Sequence, residues 1–339
     1  MKLKRTLGYG ISMRPDYAIW ADGLLITGNI PSYLVSLRVT DEAGIKSDVV
    51  EITLDDRDGK LLLPHTGTHL KLAIGYQETG LTNLGVYIVD EIGIESPPQK
   101  ITIKGHAADL NKAFKSQQTK TWQPQSLGNI ISDIASKNGY QPRIADELAS
   151  LMMPHLDQTA ESDIHFITRL ANLHGAIAKP AGGYLLFVPK DSNKSVSGQL
   201  LQVISIVPKD SKDWRISFSE RNHHGAVVAE YHDVDEAKVI EAKAGSGDPI
   251  HRLRETYPTK ELAERAANSE LKKLTQSTAT LNITLVGNPA IVAESKLVLQ
   301  GFRSGIPADW TVTRVEHAIE SSGFTTRVTA EHKLDEAKQ

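Results

Sequence analysis

The first hundred residues consist of short apolar segments separated at close intervals by turn-forming residues. The segments are Leu24–Thr27, Leu34–Val39, Val49–Leu54, Leu70–Ile74, Val86–Val89 and Lys100–Lys104. Turn residues stand between them at Asp22-Gly23, Gly28-Asn29, Asp58-Gly59, Thr66-Gly67, Thr79-Gly80 and Pro97-Pro98. Because no helical periodicity intervenes, strands of this length and spacing predict an antiparallel barrel or sandwich.

The pattern changes near Ala107 to the periodicity of helices. In the stretch from Ser126 to Asn138, apolar residues recur at i, i+3, i+4 and i+7, namely Leu127, Ile130, Ile131 and Ile134. Ser126 is a suitable N-cap and Gly139 a suitable C′ residue. A second helix is predicted to begin near Glu161 or Ser162 and to stop at Gly175, before a strand at Gly183–Val188. Residues 108–195 therefore read as a small α+β insert.

After the polar Asp191–Ser197 segment, the chain again favours strands. They are predicted at Val203–Val207, Trp214–Phe218, Ala226–Tyr231, Lys238–Ala242, Ala279–Leu285, Lys296–Gln300, Thr311–Val315 and Thr325–Ala330. One amphipathic helix at about 259–274 interrupts them. We predict a mainly β chain with an α+β insert: two antiparallel β-barrel domains, residues 1–107 and 196–339, flank the insert of residues 108–195.

Composition excludes several classes of function. The 339 residues are 40% hydrophobic and 23% charged, which is ordinary for a globular chain. Lys and Arg number 38 against 41 Asp and Glu, so binding that relies on wholesale phosphate neutralisation is not expected. The absence of cysteine removes disulfides, thiolate metal sites and cysteine nucleophiles. No apolar run approaches the ~18 residues of a membrane span, and no signal-peptide h-region follows Met1, so we expect a soluble chain.

Two segments could in principle bind a metal. Asp55-Asp56-Arg57-Asp58-Gly59 is acidic, but it lacks the spaced ligands of a calcium loop, and a hairpin turn is the favoured interpretation. His223-His224 with His232 form the second candidate. Adjacent residues on a strand point to opposite faces, so a solvated turn is favoured there.

Motifs of catalysis are also missing. The sequence has no Gly-x-Ser-x-Gly elbow, and its glycine-rich segments, Gly182-Gly183 and Gly245–Gly247, lack the lysine of a phosphate loop. A pair of glycosidase-type carboxylates stays open, because their spacing depends on the fold. We therefore assign no catalytic residue, no cofactor and no metal ligand.

One polar constellation is more specific. Gln158, Glu161 and Asp163 surround the predicted start of the second helix, and Arg169 lies further along that helix. Ser162 or Asp163 can cap the helix, and a carboxylate in its first turn is favoured by the dipole. Arg169 could then bond to the 158–163 turn. We predict that Gln158, Glu161, Asp163 and Arg169 form a structural clamp of the insert.

The segment Leu156–Ala171, followed by Gly183–Phe187, resembles the late control protein D family of contractile-tailed phages, the baseplate hub proteins. Similar segments occur upstream and downstream, at Thr53–Gly59, Leu72–Tyr76, Gly85–Glu91, Ser126–Ala135, Leu285–Pro289, Leu299–Phe302 and Trp310–His317. The resemblance covers nearly the whole chain, and the Gln-Thr-x-Glu-Ser-Asp block is its most specific motif.

The resemblance implies a tail hub. Such proteins are homotrimers whose two β-barrels per chain form a pseudo-sixfold ring, which matches the tail tube on one side and a trimeric spike on the other. Spike proteins of type VI secretion begin with a related fold and continue into the spike. Here the sequence ends at Gln339, soon after its last predicted strand, so the spike is expected to be a separate partner.

Further expectations follow from the same resemblance. Tape-measure and other baseplate proteins are further candidate partners, DNA is only passing cargo, and no stable membrane association is expected. The protein would reside in the baseplate of a phage or prophage virion tail after assembly in the bacterial host cytoplasm. It is not expected to be an enzyme.

Two alternatives remain open at this point. Ser126–Gly139 resembles the helix of a LysM-type peptidoglycan binder, which would make the chain a wall-binding module. A cell-wall hydrolase of the tail is the second alternative. Retention on purified peptidoglycan would favour the first, and a clearing band in a zymogram the second.

Overall fold

The computed structural model describes residues 13–29, 32–44, 47–108, 112–181, 183–189, 203–219, 225–233, 238–275 and 278–333. Its opening third consists of strands, as the apolar pattern predicts. They are β1 (Pro15–Ala21), β2 (Leu24–Leu25), β3 (Leu34–Glu42), β4 (Val49–Asp55), β5 (His69–Tyr76), β6 (Gly80–Glu95) and β7 (Lys100–Ala107), with a 3₁₀ turn at Thr27–Asn29.

The insert combines short strands with helices. Its elements are α1 (Lys112–Lys115), β8 (Gln117–Trp122), β9 (Gln125–Ser126), α2 (Leu127–Lys137), β10 (Gln141–Ile144), α3 (Asp146–Ala149), β11 (Met152–Met153), β12 (Leu156–Ser162), α4 (Asp163–Leu173), β13 (Ala176–Ala181) and β14 (Tyr184–Pro189). Three small sheets pair β8 with β12, β9 with β11, and β14 with both β10 and β13.

The closing part returns to strands around one long helix. Its elements are β15 (Val203–Ile206), a 3₁₀ turn (Pro208–Asp210), β16 (Ser211–Ser219), β17 (Ala226–Asp233), β18 (Lys238–Gly245), β19 (Ile250–Tyr257), α5 (Lys260–Thr275), β20 (Thr278–Val286), β21 (Lys296–Leu299), β22 (Asp309–Glu320) and β23 (Gly323–Lys333).

One sheet of 13 strands joins the two ends of the chain. Its order is β16-β20-β23-β22-β3-β4-β7-β6-β5-β1-β2, with β21 on β22 and β15 on β21. The joint between the opening and closing parts, here called the seam, is the antiparallel pair β22–β3, from Arg314 opposite Glu42 to Glu320 opposite Ser36. Mainly β architecture with an α+β insert is thus confirmed, while closure of each end into a separate barrel stays a prediction.

Strand β4 shows how the residue pattern builds this sheet. Val50, Ile52 and Leu54 are buried in it, while Glu51 and Thr53 between them remain partly exposed. Since successive side chains of a strand point to opposite faces, one face supplies the core and the other faces water. Each side chain fully buried in this way contributes roughly 1.5–3 kcal/mol.

The two halves of the large sheet have their own apolar cores, but these meet at the seam. Ile319 and Phe324, from the closing part, pack in the core of the opening part. The Tyr76 hydroxyl of β5 donates a hydrogen bond of 3.0 Å to the carbonyl of Gly287. The ring of Tyr76 lies 5.4 Å from that of Phe324. Packing as well as strand pairing therefore holds the ends together.

The helix predictions in the insert are confirmed. Ser126 caps α2 by accepting a hydrogen bond from the Asn129 amide, and Ser162 caps α4 by accepting one from His165. Gly139 and Gly175 follow the two helices with φ of 79° and 61°, a conformation that glycine adopts without steric cost. The apolar faces of both helices pack in the core of the insert.

Residues 226–275 form a separate small sheet with a helix. Strands β17, β18 and β19 pair with one another, and none of them joins the large sheet. Ala263 and Ala267 of α5 pack on this sheet, whereas Leu262 belongs to the core of the insert. The predicted domain limits placed this segment within the closing β-domain, and those limits stay a prediction. In the described part of the chain, no helix combines the length and hydropathy needed to cross a membrane.

Candidate functional site

The structure brings all four predicted clamp residues to one corner of the insert. Gln158 and Glu161 lie on β12, and Asp163 is the first residue of α4, which also carries Arg169. The predicted turn is mostly strand: β12 pairs with β8, and the register shifts between Gln158 and Glu161. That bulge includes Ala160, whose φ is 46°. The bulge places one extra residue in β12 relative to β8, which bends the strand shortly before the helix begins.

Arg169 and Glu161 form the outer half of this corner. The Arg169 guanidinium donates from Nη2 to Glu161 Oε2 at 2.8 Å and from Nε to Oε1 at 3.3 Å. Its Nη2 also donates to the carbonyl of Asp157 at 3.0 Å. The side chain of Arg169 is 35% exposed, so the pair lies near water. A bidentate contact of this kind fixes α4 against β12 with defined geometry.

Asp163 is the centre of the inner half and is 1% exposed. Its Oδ1 accepts hydrogen bonds from the side-chain amides of Gln158, at 2.9 Å, and Gln118. Its Oδ2 accepts from Asn138 Nδ2 and from Lys137 Nζ, both at 3.0 Å. Four elements of the insert therefore meet on one carboxylate: the strands β8 and β12, the C-terminal end of α2 and the N-terminal end of α4.

The electrostatics of Asp163 follow from these donors. Burial favours the neutral acid and acts to raise its pKa, but the hydrogen bonds from Gln158, Asn138 and Lys137 favour the anion more strongly. The pKa of Asp163 is accordingly below its ordinary value. The group is held as a buried anion at neutral pH.

Gln158 extends the network to an aromatic pair. It is fully buried; its Nε2 donates to the Glu161 carbonyl at 3.0 Å, and its Oε1 accepts from Trp122 Nε1 at 3.1 Å. The Trp122 ring stacks on Phe166 with centroids 5.7 Å apart. The polar network is thus continuous with the apolar core of the insert.

Sequence reasoning missed the partners that come from other elements. Gln118, Trp122, Lys137 and Asn138 all contact the predicted residues, although they lie 25 to 45 positions away. Only the chemistry of Asp163 gave a signal, since a carboxylate that becomes buried requires several donors. Nothing local to Gln118 or Asn138 identifies them as those donors.

The acidic segment after β4 is a turn but not a hairpin. Asp55 pairs with Arg57, with Oδ2 and Nη2 2.6 Å apart, and the buried Asp56 accepts from the Leu61 amide and from Gln99 Nε2. The hairpin interpretation is wrong because β4 pairs with β3 and β7, whereas β5 pairs with β1 and β6. The Asp56 contacts show that the segment anchors a loop.

The histidine candidates give no metal site among the described residues. His223 and His224 lie outside them, and no group of three His, Cys, Asp or Glu side chains there has the arrangement of a metal site. His232 borders an open cleft of about 840 Å³ between the insert and residues 253–270. Basic and acidic side chains both line this cleft, so no single ligand chemistry is favoured.

The solvent face of the seam carries alternating charges. Arg38 Nη2 lies 2.6 Å from Glu320 Oε1 across the joint, and Arg314 Nη1 lies 3.3 Å from Glu42 Oε1. On the neighbouring pair β22–β23, Arg327 and Glu316 are 3.4 Å apart. The surface here is polar but has no excess of either sign within these pairs.

The β16 end of the large sheet exposes apolar side chains. Trp214 and Phe218 are 42% and 56% exposed, although they face the same side as their buried partners Ile283 and Ala279 on β20. Among the described strands only β20 pairs with β16, so no described strand covers the other edge of β16. An edge of this kind is a template for pairing with another chain.

The phage tail baseplate hub (GPD) family matches residues 99–323. A probable baseplate hub protein of Escherichia phage P2 is 30% identical over 375 aligned residues, which cover 98% of this chain and 97% of that protein. The family match includes both the insert and the seam strand β22.

Solved structures with similar folds come from related systems. The 43 kDa tail protein of prophage MuSo2 from Shewanella oneidensis has a TM-score of 0.69 at 14% identity, over 93% of this chain and 97% of that one. The c3393 protein of Escherichia coli, a component of the type VI secretion system, has a TM-score of 0.54 at 12% identity, over 94% and 77%. The predicted likeness to both groups of proteins is confirmed at the level of fold.

Proposed function

Because the chain belongs to the phage tail baseplate hub family, we propose that it acts as the central hub of a contractile tail, a homotrimer that joins the tail tube to a trimeric spike. Full-length coverage of the P2 relative supports this assignment. The virion baseplate is then its place of action, and the host cytoplasm its place of assembly. Its work is contact between proteins, without a catalysed reaction.

The observation that carries the proposal is the seam. It joins two β regions of one chain edge to edge in a single sheet. Three copies would supply six such regions, which is the number needed to match a sixfold tube by a threefold ring. Heterologous contacts generate a ring when the rotation closes.

The exposed edge of β16 supports contact between copies. Trp214 and Phe218 lie on the core-facing row of this strand, yet they are 42% and 56% exposed to water, which is unfavourable for large apolar side chains. A neighbouring copy that covers them would bury apolar area and pair the backbone groups of that edge. The balance of positive and negative side chains along the seam, with an overall net charge of -3, suits a passage that DNA crosses without binding.

The clamp residues have a supporting role in this proposal. Gln158, Glu161, Asp163 and Arg169 tie α4 to β12 and, through Asn138 and Lys137, to α2. We infer that they hold the insert in the shape on which the ring depends.

Sedimentation velocity tests the proposal directly. We expect the purified chain, alone or mixed with its spike, to sediment with the mass of three chains. The double substitution Trp214→Glu with Phe218→Glu should shift it to the monomer because two buried charges would face the neighbouring copy. Met152→Glu is the matched control, since Met152 is 70% exposed and lies in the insert.

A monomer in both conditions would contradict the hub, because it would remove the ring. A trimer unaffected by the double substitution would contradict only the placement of the contact at β16. Retention of the chain on purified peptidoglycan would support the wall-binding alternative instead. A clearing band in a zymogram would support the hydrolase.

A further inference from the structure

A buried lysine lies where the insert meets both halves of the large sheet. Lys179 of β13 is 8% exposed. Its ammonium donates to Asp41 Oδ1 at 3.1 Å and to the Glu42 carbonyl at 3.0 Å, both at the end of β3. Asp41 Oδ2 in turn accepts from the amide of Ala293, just before β21, at 2.7 Å. Three parts of the chain therefore converge on one ion pair.

Two further carboxyl groups surround this pair, and we call the set Asp41, Asp48, Lys179 and Glu294 the junction. Asp48 Oδ1 accepts from the Glu42 amide at 3.1 Å. Glu294 Oε1 accepts from the Gly44 amide at 3.1 Å. Both carboxyl groups interact electrostatically with Lys179.

The charges of the junction do not balance. One ammonium faces three carboxyl groups, and all of them have restricted access to water. The carboxyl groups of Asp41 and Asp48 are close enough to interact electrostatically. Three carboxylate anions that surround a single ammonium away from water repel one another, so the cluster favours keeping one carboxyl group neutral.

We propose that the junction binds one proton on the carboxyl group of Asp48, and that release of this proton weakens the docking of the insert onto the two halves of the large sheet. This inference does not depend on the proposed hub function. It concerns the joint within one chain and is testable on the purified protein.

The directions of the pKa shifts within the junction support this proposal. Burial is the main cause that raises the pKa of Asp48 to about 7, and the nearby Asp41 adds to it, while Lys179 and the Glu42 amide oppose it. Burial also raises the pKa of Glu294 against the opposing charge of Lys179. Burial acts to lower the pKa of Lys179, but the surrounding carboxylates outweigh it and raise that pKa, so the lysine stays charged.

Other titratable groups around the junction do not carry the same proton. His317 of β22 bonds to Thr326 Oγ1 and to the Ile291 carbonyl, and burial lowers its pKa to about 4, against the opposing effects of that carbonyl and of Asp41. It is neutral across the range in question. The side chain of Glu42 is directed to Arg314, at 3.3 Å.

The sign of the pH effect follows from linkage. An acid whose pKa is raised on folding keeps a proton that the unfolded chain loses, so its stabilising contribution is present below the unfolded pKa of 3.8 and is lost as pH rises through about 7. We expect Asp48→Asn, which keeps a neutral hydrogen-bonding group, to remove the part of the pH dependence that Asp48 contributes. Relative to that variant, the wild-type Tm should fall by about 4 °C from pH 5.5 to pH 8.

Asp58→Asn is the matched control, because Asp58 is an exposed acid in a turn of the same sheet half. It should retain the wild-type dependence on pH. If Asp48→Asn retains it as well, the proposal is overturned. Hydrogen exchange, corrected for intrinsic rates, should show faster opening of residues 41–44, 47–48 and 176–181 at pH 8 in the wild type but not in Asp48→Asn. Equal protection at both pH values in the wild type would also overturn it.

Discussion

The insert and the junction each hold a carboxyl group away from water, but the two groups differ in the number of donors around them. Asp163 accepts hydrogen bonds from four side chains, and its pKa is lowered despite its burial. Asp48 has one backbone amide and a second carboxyl group beside it, and its pKa is raised. Burial acts in the same direction at both sites, so the donors decide the charge of each group. The insert is held by a permanent anion, and the junction by a titratable one.

The largest effect is expected where the permanent anion is removed. Asp163→Ala leaves Lys137, Asn138 and Gln158 without their common acceptor inside the insert. Breaking a buried charged network of this kind costs about 3–5 kcal/mol in the free energy of unfolding. Chemical denaturation would measure the loss. The control Asp157→Ala removes an exposed carboxylate of the same strand and should change stability by less than about 0.5 kcal/mol. A similar small loss for both variants would show that the inner half of the clamp does not stabilise the insert.

An intermediate effect is expected for the outer half. Arg169→Ala removes the bidentate contact with Glu161, which is partly open to solvent. We therefore expect a loss of about 1 kcal/mol in the free energy of unfolding. Melting temperature and trimer yield should both fall. Arg252→Ala is the control, because its partner Glu241 lies 2.5 Å away but both side chains are more than half exposed. Unchanged unfolding of the Arg169 variant would refute the clamp at this position.

The smallest effect is expected in the pH dependence of Asp163. A group whose pKa is lowered on folding stabilises the protein above its unfolded pKa, near 3.8, and loses that contribution as pH falls through its folded pKa. The difference in stability between the wild type and Asp163→Asn should therefore be constant above about pH 5 and narrow below it. Urea denaturation at pH 6 and pH 3.5 would test this. A difference that does not narrow would contradict the assignment of Asp163 as an anion, and with it the contrast to Asp48.

The elements predicted from sequence are those whose signals are local. The apolar periodicity of α2, the capping serines Ser126 and Ser162, and the alternation in β4 all depend on residues within one or two turns of each other. The contact of Arg169 with the segment around Glu161 was predictable for the same reason, since eight positions separate them. The resemblance to hub proteins extended this reasoning to the whole chain.

What could not be predicted depends on pairing between distant segments. The strands β17, β18 and β19 carry a normal strand pattern, and nothing in that pattern indicates that they leave the large sheet. The Asp55–Gly59 turn satisfies a hairpin signature, yet its flanking strands pair elsewhere. Lys179 is similarly inconspicuous, because its burial depends on Asp41, 138 positions away.

The seam has a consequence for how the protein is made on the ribosome. Arg38 and its partner Glu320 are 282 positions apart, so β3 emerges long before β22 is synthesised. During that interval the edge of β3 that pairs with β22 in the folded protein has no native partner. Contacts between residues so far apart in the sequence form slowly. The insert, whose pairings are short in range, can reach its native structure earlier and hold the chain in place. Mispairing between chains is therefore most damaging while nascent copies emerge close together on one messenger RNA. Rapid completion of the last strands protects against it.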